Sequence, residues 1–174
     1  MSGSCSSGYV CPRGSGLAAP TGTFGFDPSV PSTFNVPGPC PIGHYCPIGS
    51  SYPIPCAEGT YQISTGQSSC IDCPPGRYCD ETGIKTAAEL SAKQCGAGHF
   101  CSGGTKVEKP IKTIHSGSIC SSGKFCITGT ATEVVCAGGF YDKRKGISQC
   151  MTCPKGYYCP TGSREPIVCP AGNY

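Results

Sequence analysis

Cysteine is the residue that gives this chain most of its chemistry. The sequence contains 17 cysteines among 174 residues, a density typical of disulfide scaffolds made in an oxidising compartment. Cysteine also binds zinc or acts as a nucleophile, so the spacing has to distinguish these uses. The spacing favours disulfides, because the cysteines recur in small units of fixed length.

The main pattern is a repeat with an offset of 80 residues. The six cysteines of residues 40–79 are separated by gaps of 5, 9, 13, 2 and 5 residues, and residues 120–159 have the same five gaps. Repetition at a fixed period indicates a tandem-repeat protein. The repeated cysteines are Cys40, Cys46, Cys56, Cys70, Cys73 and Cys79 in the first copy, and Cys120, Cys126, Cys136, Cys150, Cys153 and Cys159 in the second.

Short loops of the form C-x5-C are one of two building units. They occupy residues 5–11, 40–46, 73–79, 95–101, 120–126 and 153–159. The fourth residue is always glycine, which predicts a turn with positive φ. These glycines are Gly8, Gly43, Gly76, Gly98, Gly123 and Gly156. An aromatic residue precedes the second cysteine in five loops (Tyr45, Tyr78, Phe100, Phe125 and Tyr158), and Val10 does so in the first. We expect this side chain to pack on the disulfide as a miniature core.

The second unit opens with C-x-x-G-x-Y, at residues 56–61, 136–141 and 169–174. In the first two, another cysteine follows after a gap of 13 residues. Residues 19–39 resemble a degenerate copy in which Ala19 stands at the cysteine position. Burial of Phe24, Phe26, Phe34 and Val36 would then replace the missing bridge.

Internal pairing of every short and long loop uses sixteen cysteines and leaves Cys169 unpaired. The expected pairs are Cys5–Cys11, Cys40–Cys46, Cys56–Cys70, Cys73–Cys79, Cys95–Cys101, Cys120–Cys126, Cys136–Cys150 and Cys153–Cys159. Crossed pairing of neighbouring short loops, such as Cys73–Cys95 with Cys79–Cys101, is the alternative, because spacing does not determine connectivity. Since Cys169 opens a motif without its second cysteine, we expect the chain to be part of a longer repeat array.

A conventional hydrophobic core is not expected. Hydrophobic residues, cysteine included, make up 37% of the chain, which has no Trp but has 26 Gly and 17 Pro. Burial alone does not offset an ordering entropy of about 1.5 kcal/mol per residue in modules this small. A bridge contributes about 2.4 kcal/mol in a short loop and about 3 kcal/mol in a long one. The sequence therefore predicts a small disulfide-rich fold, an elongated tandem array of cysteine-rich modules with short β-hairpins and little regular secondary structure.

Regular elements are expected at three places. Hairpins are predicted near residues 58–70 and 138–150, and a helix over Thr86–Lys93, which is rich in good helix formers. Residues 102–119 are predicted to form an edge strand or a contact surface. The expected domains are a divergent first repeat with a Pro/Gly/Phe-rich insert (1–39), a cysteine-rich repeat (40–79), a linker-type cysteine module (80–119), the offset copy (120–159) and the start of a further repeat (160–174).

Charge and hydropathy exclude several classes of function. The formal net charge of +3 is too small to indicate nucleic-acid binding. No apolar run reaches the length needed to span a bilayer, so no membrane span is expected in these residues. Residues 1–20 lack the basic and apolar regions of a signal peptide. We therefore expect an extracellular or cell-surface protein whose secretion signal lies outside this sequence.

The run over residues 40–61, CPIGHYCPIGSSYPIPCAEGTY, resembles the ephrin-receptor-like (GCC2/GCC3-type) cysteine-rich repeat. The long loop also resembles, more distantly, the first half-module of tumour necrosis factor receptor repeats. The second resemblance implies the pairs Cys56–Cys70 and Cys136–Cys150. The first implies secretion, disulfides and modular extension without catalysis, as in large extracellular surface and appendage proteins of protists and algae.

Other candidate sites are weaker. The C-x-x-C spacings at Cys70–Cys73 and Cys150–Cys153 fit zinc ligands, but both lie inside disulfide-type repeats, so neither a metal nor a cofactor is expected. His44 and His99 occupy a loop position that also accepts Tyr, Arg and Lys, which indicates solvated side chains. His115 has no recognisable catalytic partner, and Lys143–Lys145 is expected to be a charged hairpin tip. Candidate O-glycosylation sites are Thr21, Thr23, Ser29, Ser32 and Thr33.

The sequence thus predicts a structural subunit or segment of an extracellular filament or cell-surface appendage. Its partners would be copies of itself, or neighbouring repeats of a longer chain, with attached glycans. The alternative is a ligand-binding ectodomain, a receptor-like stalk of a cell-surface protein. An enzyme is not expected, because no nucleophile, phosphate loop or carboxylate pair stands at a recognisable spacing.

Overall fold

A computed structural model describes residues 5–12, 18–20, 37–111, 116–170 and 172. The predicted degenerate copy at residues 19–39 lies almost wholly outside these residues, together with its four apolar side chains. His115 and the five candidate O-glycosylation sites also lie outside them.

Eight disulfides close eight modules, which we number 1 to 8 in chain order. They are Cys5–Cys11, Cys40–Cys46, Cys56–Cys70, Cys73–Cys79, Cys95–Cys101, Cys120–Cys126, Cys136–Cys150 and Cys153–Cys159. These are the nearest-neighbour pairs, and no crossed pair joins two short loops in the described residues. Cys169 has a free thiol and is partly exposed. The small disulfide-rich fold predicted from the sequence is confirmed.

Strands are two or three residues long. The described residues contain β1 (Tyr9–Val10), β2 (Gly38–Pro39), β3 (His44–Tyr45), β4 (Ile54–Pro55), β5 (Thr60–Tyr61), β6 (Ile71–Asp72), β7 (His99–Cys101), β8 (Gly117–Ile119), β9 (Lys124–Phe125), β10 (Val134–Val135), β11 (Phe140–Tyr141), β12 (Met151–Thr152), β13 (Tyr157–Tyr158) and β14 (Ile167–Val168). Each pairs in antiparallel fashion with its sequence neighbour, as β1–β2, β3–β4 and so on to β13–β14. The hairpins predicted near residues 58–70 and 138–150 correspond to β5–β6 and β11–β12.

One rule governs all of these hairpins. The first strand follows the glycine turn of a module, and the second strand ends immediately before the first cysteine of the next module. Module 4 obeys the same rule with a single antiparallel bridge between Arg77 and Gln94. The hairpin of each module is therefore completed by the segment that enters the next one.

The helix α1 (Ala87–Ala92) is slightly shorter than predicted. A capping box defines its start, because the Glu89 amide donates to the Thr86 Oγ1 at 3.1 Å and the Glu89 carboxylate accepts from the Thr86 amide at 3.3 Å. The Lys85 amide also donates to that carboxylate, and this bond is the main reason why the pKa of Glu89 lies below its usual value.

Half-cystines make up most of the buried interior. Among the apolar side chains of the described residues, the non-cysteine ones that are buried are Val10, Ile84 and the prolines Pro20, Pro53 and Pro110. Val10 occupies the position that is aromatic in the other short loops. There Tyr45, Tyr78 and Phe125 are only half-buried, so the predicted aromatic core is partial.

The chain divides into two compact units. The first comprises Met1–Asp72 and Glu81–Ala92, and the second comprises Cys73–Asp80 and Lys93–Tyr174. Modules 1 to 3 thus belong to the first unit and modules 4 to 8 to the second. Within the described residues, no helix is long and apolar enough to cross a bilayer.

Candidate assembly interface

Consecutive modules within a unit are joined by three backbone hydrogen bonds. Between modules 4 and 5, the Gly76 amide donates to the Cys101 carbonyl at 2.8 Å and the Cys95 amide donates to the Gly76 carbonyl at 2.9 Å. The third bond runs from the Gly104 amide to the Cys73 carbonyl at 2.8 Å. The backbone groups of the turn glycine and of the first cysteine in one module therefore bind the next module.

The same three bonds recur at six joins, with donor–acceptor distances between 2.7 and 3.0 Å. At each join, two acceptors belong to the earlier module, the turn-Gly carbonyl and the first-Cys carbonyl. The third acceptor is the carbonyl six residues after the first cysteine of the following module. The donors, by join, are Gly8, Cys40 and Gly49 (modules 1–2), Gly43, Cys56 and Gly66 (2–3), Gly76, Cys95 and Gly104 (4–5), Gly98, Cys120 and Gly129 (5–6), Gly123, Cys136 and Gly146 (6–7), and Gly139, Cys153 and Gly162 (7–8). The join is therefore a constant feature of the fold.

A second contact reaches past the neighbouring module to the one after it. A methyl group built on Gly76 would overlap the backbone carbonyl of Gly129, which lies two modules further on. The same overlap occurs for Gly8 with Gly66, Gly43 with Gly83, Gly98 with Gly146, and Gly123 with Gly162. The positive φ of the turn glycines confirms the predicted turn, and this close approach is a further reason for glycine that the sequence does not reveal.

Side chains fix the long loops to these joins. In module 7 the Asp142 carbonyl accepts from the Gly123 amide, while its fully buried carboxylate accepts from the Arg144 guanidinium at 2.7 and 3.0 Å and from the Arg144 amide at 2.9 Å. The Arg144 bond lowers the pKa of Asp142 below its ordinary value of 3.8. In module 3, Gln62 has the same role, with the Ser64 amide as donor and the Ser69 carbonyl as acceptor.

We expect Arg144→Ala to loosen the join between modules 6 and 7 at neutral pH. A carboxylate with a lowered pKa in the folded state stabilises above its ordinary pKa, and the contribution is lost as the pH falls through the folded value. Exchange of the Gly123 amide should thus be faster by roughly tenfold in the variant at pH 7, and the difference should vanish below the folded pKa of Asp142. Amide hydrogen exchange followed from pH 7 downwards through the acid range measures this.

The matched control is Asp142→Gln with Arg144→Ser, which copies the residues of module 3. It should keep much of the Gly123 protection and lose its pH dependence. Equal exchange in wild type and Arg144→Ala at pH 7 would contradict a stabilising role for the ion pair.

A second polar pair braces the hairpin β9–β10. The Glu133 carboxylate accepts from the Ser121 amide at 2.6 Å and from the Lys124 ammonium at 2.6 Å. Burial alone would raise the pKa of Glu133, but these hydrogen bonds outweigh it and lower the pKa. The Lys124 ammonium therefore has a structural role in this hairpin, through its contact with Glu133.

The predicted histidine and lysine–arginine sites make local contacts. His44 and His99 are partly exposed, and their Nδ1 atoms lie 3.1 and 3.4 Å from the Ile42 and Ala97 carbonyls. Lys143–Lys145 lies in the loop between β11 and β12, and Arg144, although largely exposed, binds Asp142. Sequence reasoning missed this pair, although an acidic residue two positions before Arg144 is its visible signal.

The C-x-x-C spacings do not bring thiols together, because the two cysteines of each belong to different disulfides. Cys70 pairs with Cys56, and Cys73 pairs with Cys79. Within the part of the chain that the structure describes, no group of three or more His, Cys, Asp or Glu side chains is arranged to hold a metal ion.

These features define a class: a disulfide-rich repeat protein whose modules join through backbone atoms. Residues 43–89 match a family model described as tyrosine-protein kinase ephrin type A/B receptor-like. Residues 43–89 are thus similar to an ephrin-receptor-like cysteine-rich repeat, as the sequence resemblance predicts, and modules of that family are non-catalytic. The disulfides and the matched segment indicate an extracellular location. No curated protein matches the chain, and the tumour necrosis factor receptor resemblance stays a prediction.

Proposed function

We propose that the chain is a structural segment of an extracellular filament or cell-surface appendage. The observation that carries this proposal is the join between modules, which recurs with the same three hydrogen bonds at six places. Within each unit, successive modules are joined in the same way. Repeats with this property stack along a single direction, because each module contacts mainly its neighbouring modules.

The residues available for chemistry support a structural role. Sixteen cysteines are consumed in disulfides, and the buried carboxylate of Asp142 is neutralised by Arg144 within the module. Lys93 binds Asp80 at 2.5 Å and lies over the ring of Tyr78 at 5.7 Å. These ionic groups hold the fold and do not converge on a cleft.

Negative-stain electron microscopy of native material, with non-reduced peptide mapping, tests the proposal. We expect filaments or fibrous appendages whose peptides contain the eight nearest-neighbour disulfides. Micrographs that show only monodisperse particles would contradict a structural polymer.

A ligand-binding ectodomain is the second candidate, and the ephrin-receptor-like match supports it. Such a protein would bind its partner as a soluble monomer at a saturable site, which surface plasmon resonance on a cell-surface extract would detect. Saturable binding to a dissimilar protein, without polymers, would favour this candidate over the filament.

A further inference from the structure

A largely polar cleft of about 300 Å³ lies among modules 4 to 6. Its volume is at the lower end of the range of small-ligand sites. The joins that link modules 4, 5, 6 and 7 are all complete, so the cleft belongs to fully joined repeats. It is lined by Pro75, Gly76, Arg77, Gln94, Thr128 and Gly129.

A cleft with a different lining occurs at the equivalent place in module 2. Each of the two clefts lies between the hairpin of a short-loop module and a Thr-Gly dipeptide later in the chain. In module 2 the dipeptide is Thr82-Gly83, and the hairpin contributes His44 and Pro55 to a mainly apolar lining. The cleft is therefore a repeated feature of the fold, and its chemistry differs between modules.

The two hairpin residues of the cleft in module 4 are both polar. Arg77 follows the turn glycine and is bridged to Gln94, the residue before the next cysteine. The same two positions contain at least one apolar residue in each of the other short-loop modules described. The pairs there are Tyr9 with Pro39, His44 with Pro55, His99 with Ile119, Lys124 with Val135, and Tyr157 with Val168. Module 4 is thus the place where this position has a polar ligand-binding character.

The main chain at the bottom of the cleft is already used by the joins. The Gly76 amide donates to the Cys101 carbonyl, and the Gly129 amide donates to the Cys95 carbonyl, each at 2.8 Å. A ligand must therefore be recognised by the side chains of the lining.

Three side chains are suited to that recognition. The Gln94 Oε1 lies 3.5 Å from a Cβ built on Gly129, so its amide lies across the cleft. Within the described ranges, the side chains of Gln94 and Thr128 make no hydrogen bond. Arg77 is half-buried, and its guanidinium has five N–H donors, so an internal partner still leaves donors for a ligand.

The chemistry of these groups selects the class of ligand. A guanidinium binds a carboxylate or a tetrahedral oxyanion through two parallel hydrogen bonds. An amide and a hydroxyl both donate and accept, which matches the hydroxyl groups of a sugar. The lining contains one cation and no aromatic ring, so it fits neither a polyphosphate nor a stacked base. Lys and Arg outnumber Asp and Glu in the second unit, whereas the reverse holds in the first.

We propose that this cleft binds an acidic polysaccharide. The acid group of one sugar lies on Arg77, its neighbouring hydroxyls bond to Gln94 and Thr128, and its ring packs against Pro75. The acid group is a carboxylate or a sulfate ester, which present the same kind of oxygen acceptors. This binding activity goes beyond the structural role proposed above and does not depend on polymer formation.

Isothermal titration calorimetry of the oxidised chain tests the inference with three oligosaccharides of equal length: oligogalacturonate, sulfated dextran and neutral dextran. We expect an acidic probe to bind and neutral dextran not to bind, and the acidic probe that binds identifies the acid group. Arg77→Gln should raise the Kd by at least about tenfold, because it removes a charge-assisted pair of hydrogen bonds. Lys155→Gln is the matched control, since it removes the same charge from an exposed residue of the same unit outside the cleft. It should bind like wild type.

A second variant separates binding from folding. Arg77→His with Gln94→Pro copies the residues of module 2, where the same fold tolerates them, and it should lose binding while disulfide mapping shows the eight native bridges. In the wild type, the acidic probe should shift the amide NMR signals of Thr128 and Gly129.

Four results would overturn the inference. They are no binding of either acidic probe, equal weakening by Lys155→Gln, NMR shifts confined to residues outside the cleft, and equally tight binding of a polyglutamate peptide, which would indicate an acidic protein partner. Filaments in micrographs of native material have no bearing on these results, so this inference and the proposed filament fail separately.

Discussion

Reduction of the disulfides is expected to unfold the chain completely at neutral pH and without denaturant. In the chain-entropy model, the eight bridges together contribute on the order of 20 kcal/mol, more than the net stability of about 5–15 kcal/mol of ordinary domains. The buried apolar residues other than cysteine are too few to compensate. Treatment with a phosphine reductant should therefore abolish the dispersion of the amide NMR spectrum and raise all amide exchange rates to those of an unfolded peptide.

The control is incubation with a strong chelator under oxidising conditions, which should change nothing. A reduced chain that keeps its protected amides would show that packing, and not the bridges, holds the modules. Loss of structure with chelator alone would point to bound metal in place of disulfides.

Substitution of a turn glycine should be the most damaging single change outside the cysteines. Gly123→Ala forces a side chain into a backbone with a φ of 78° and into the carbonyl of Gly162. The left-handed backbone costs about 1–2 kcal/mol, and the overlap adds about 1–3 kcal/mol or more. We expect a loss of about 3 kcal/mol at the joins between modules 6, 7 and 8, seen as deprotection of the Cys136 and Gly162 amides.

Gly162→Ala is the matched control at the same contact. Gly162 has the same φ of 78°, but a methyl group built on it meets nothing within 4 Å. This variant should show the backbone effect alone and be clearly milder. Equal destabilisation by both substitutions would mean that the close approach between modules contributes nothing.

The cysteine spacing predicted the fold class, and the structure shows why. A loop of fixed length with a glycine turn brings its two cysteines into bonding distance locally, so the pattern 5, 13 and 5 carries most of the structural information. The helix at Ala87–Ala92 was also predictable, because Thr86 and Glu89 have the spacing of a capping box. The hairpin positions followed from the same turns.

The assembly interface was not predictable in the same way. The contact between Gly76 and Gly129 joins residues far apart in the sequence, and a glycine pattern does not indicate its partner.

The joins between modules use main-chain atoms almost exclusively, and this has a consequence for how such chains diverge. Most side chains outside the cysteines and turn glycines take no part in these backbone bonds, so neighbouring repeats can carry different exteriors on one framework. Module 3 holds its loop with Gln62, whereas module 7 uses Asp142 and Arg144. One repeat can therefore acquire side chains for a new contact while the architecture of the other repeats stays the same.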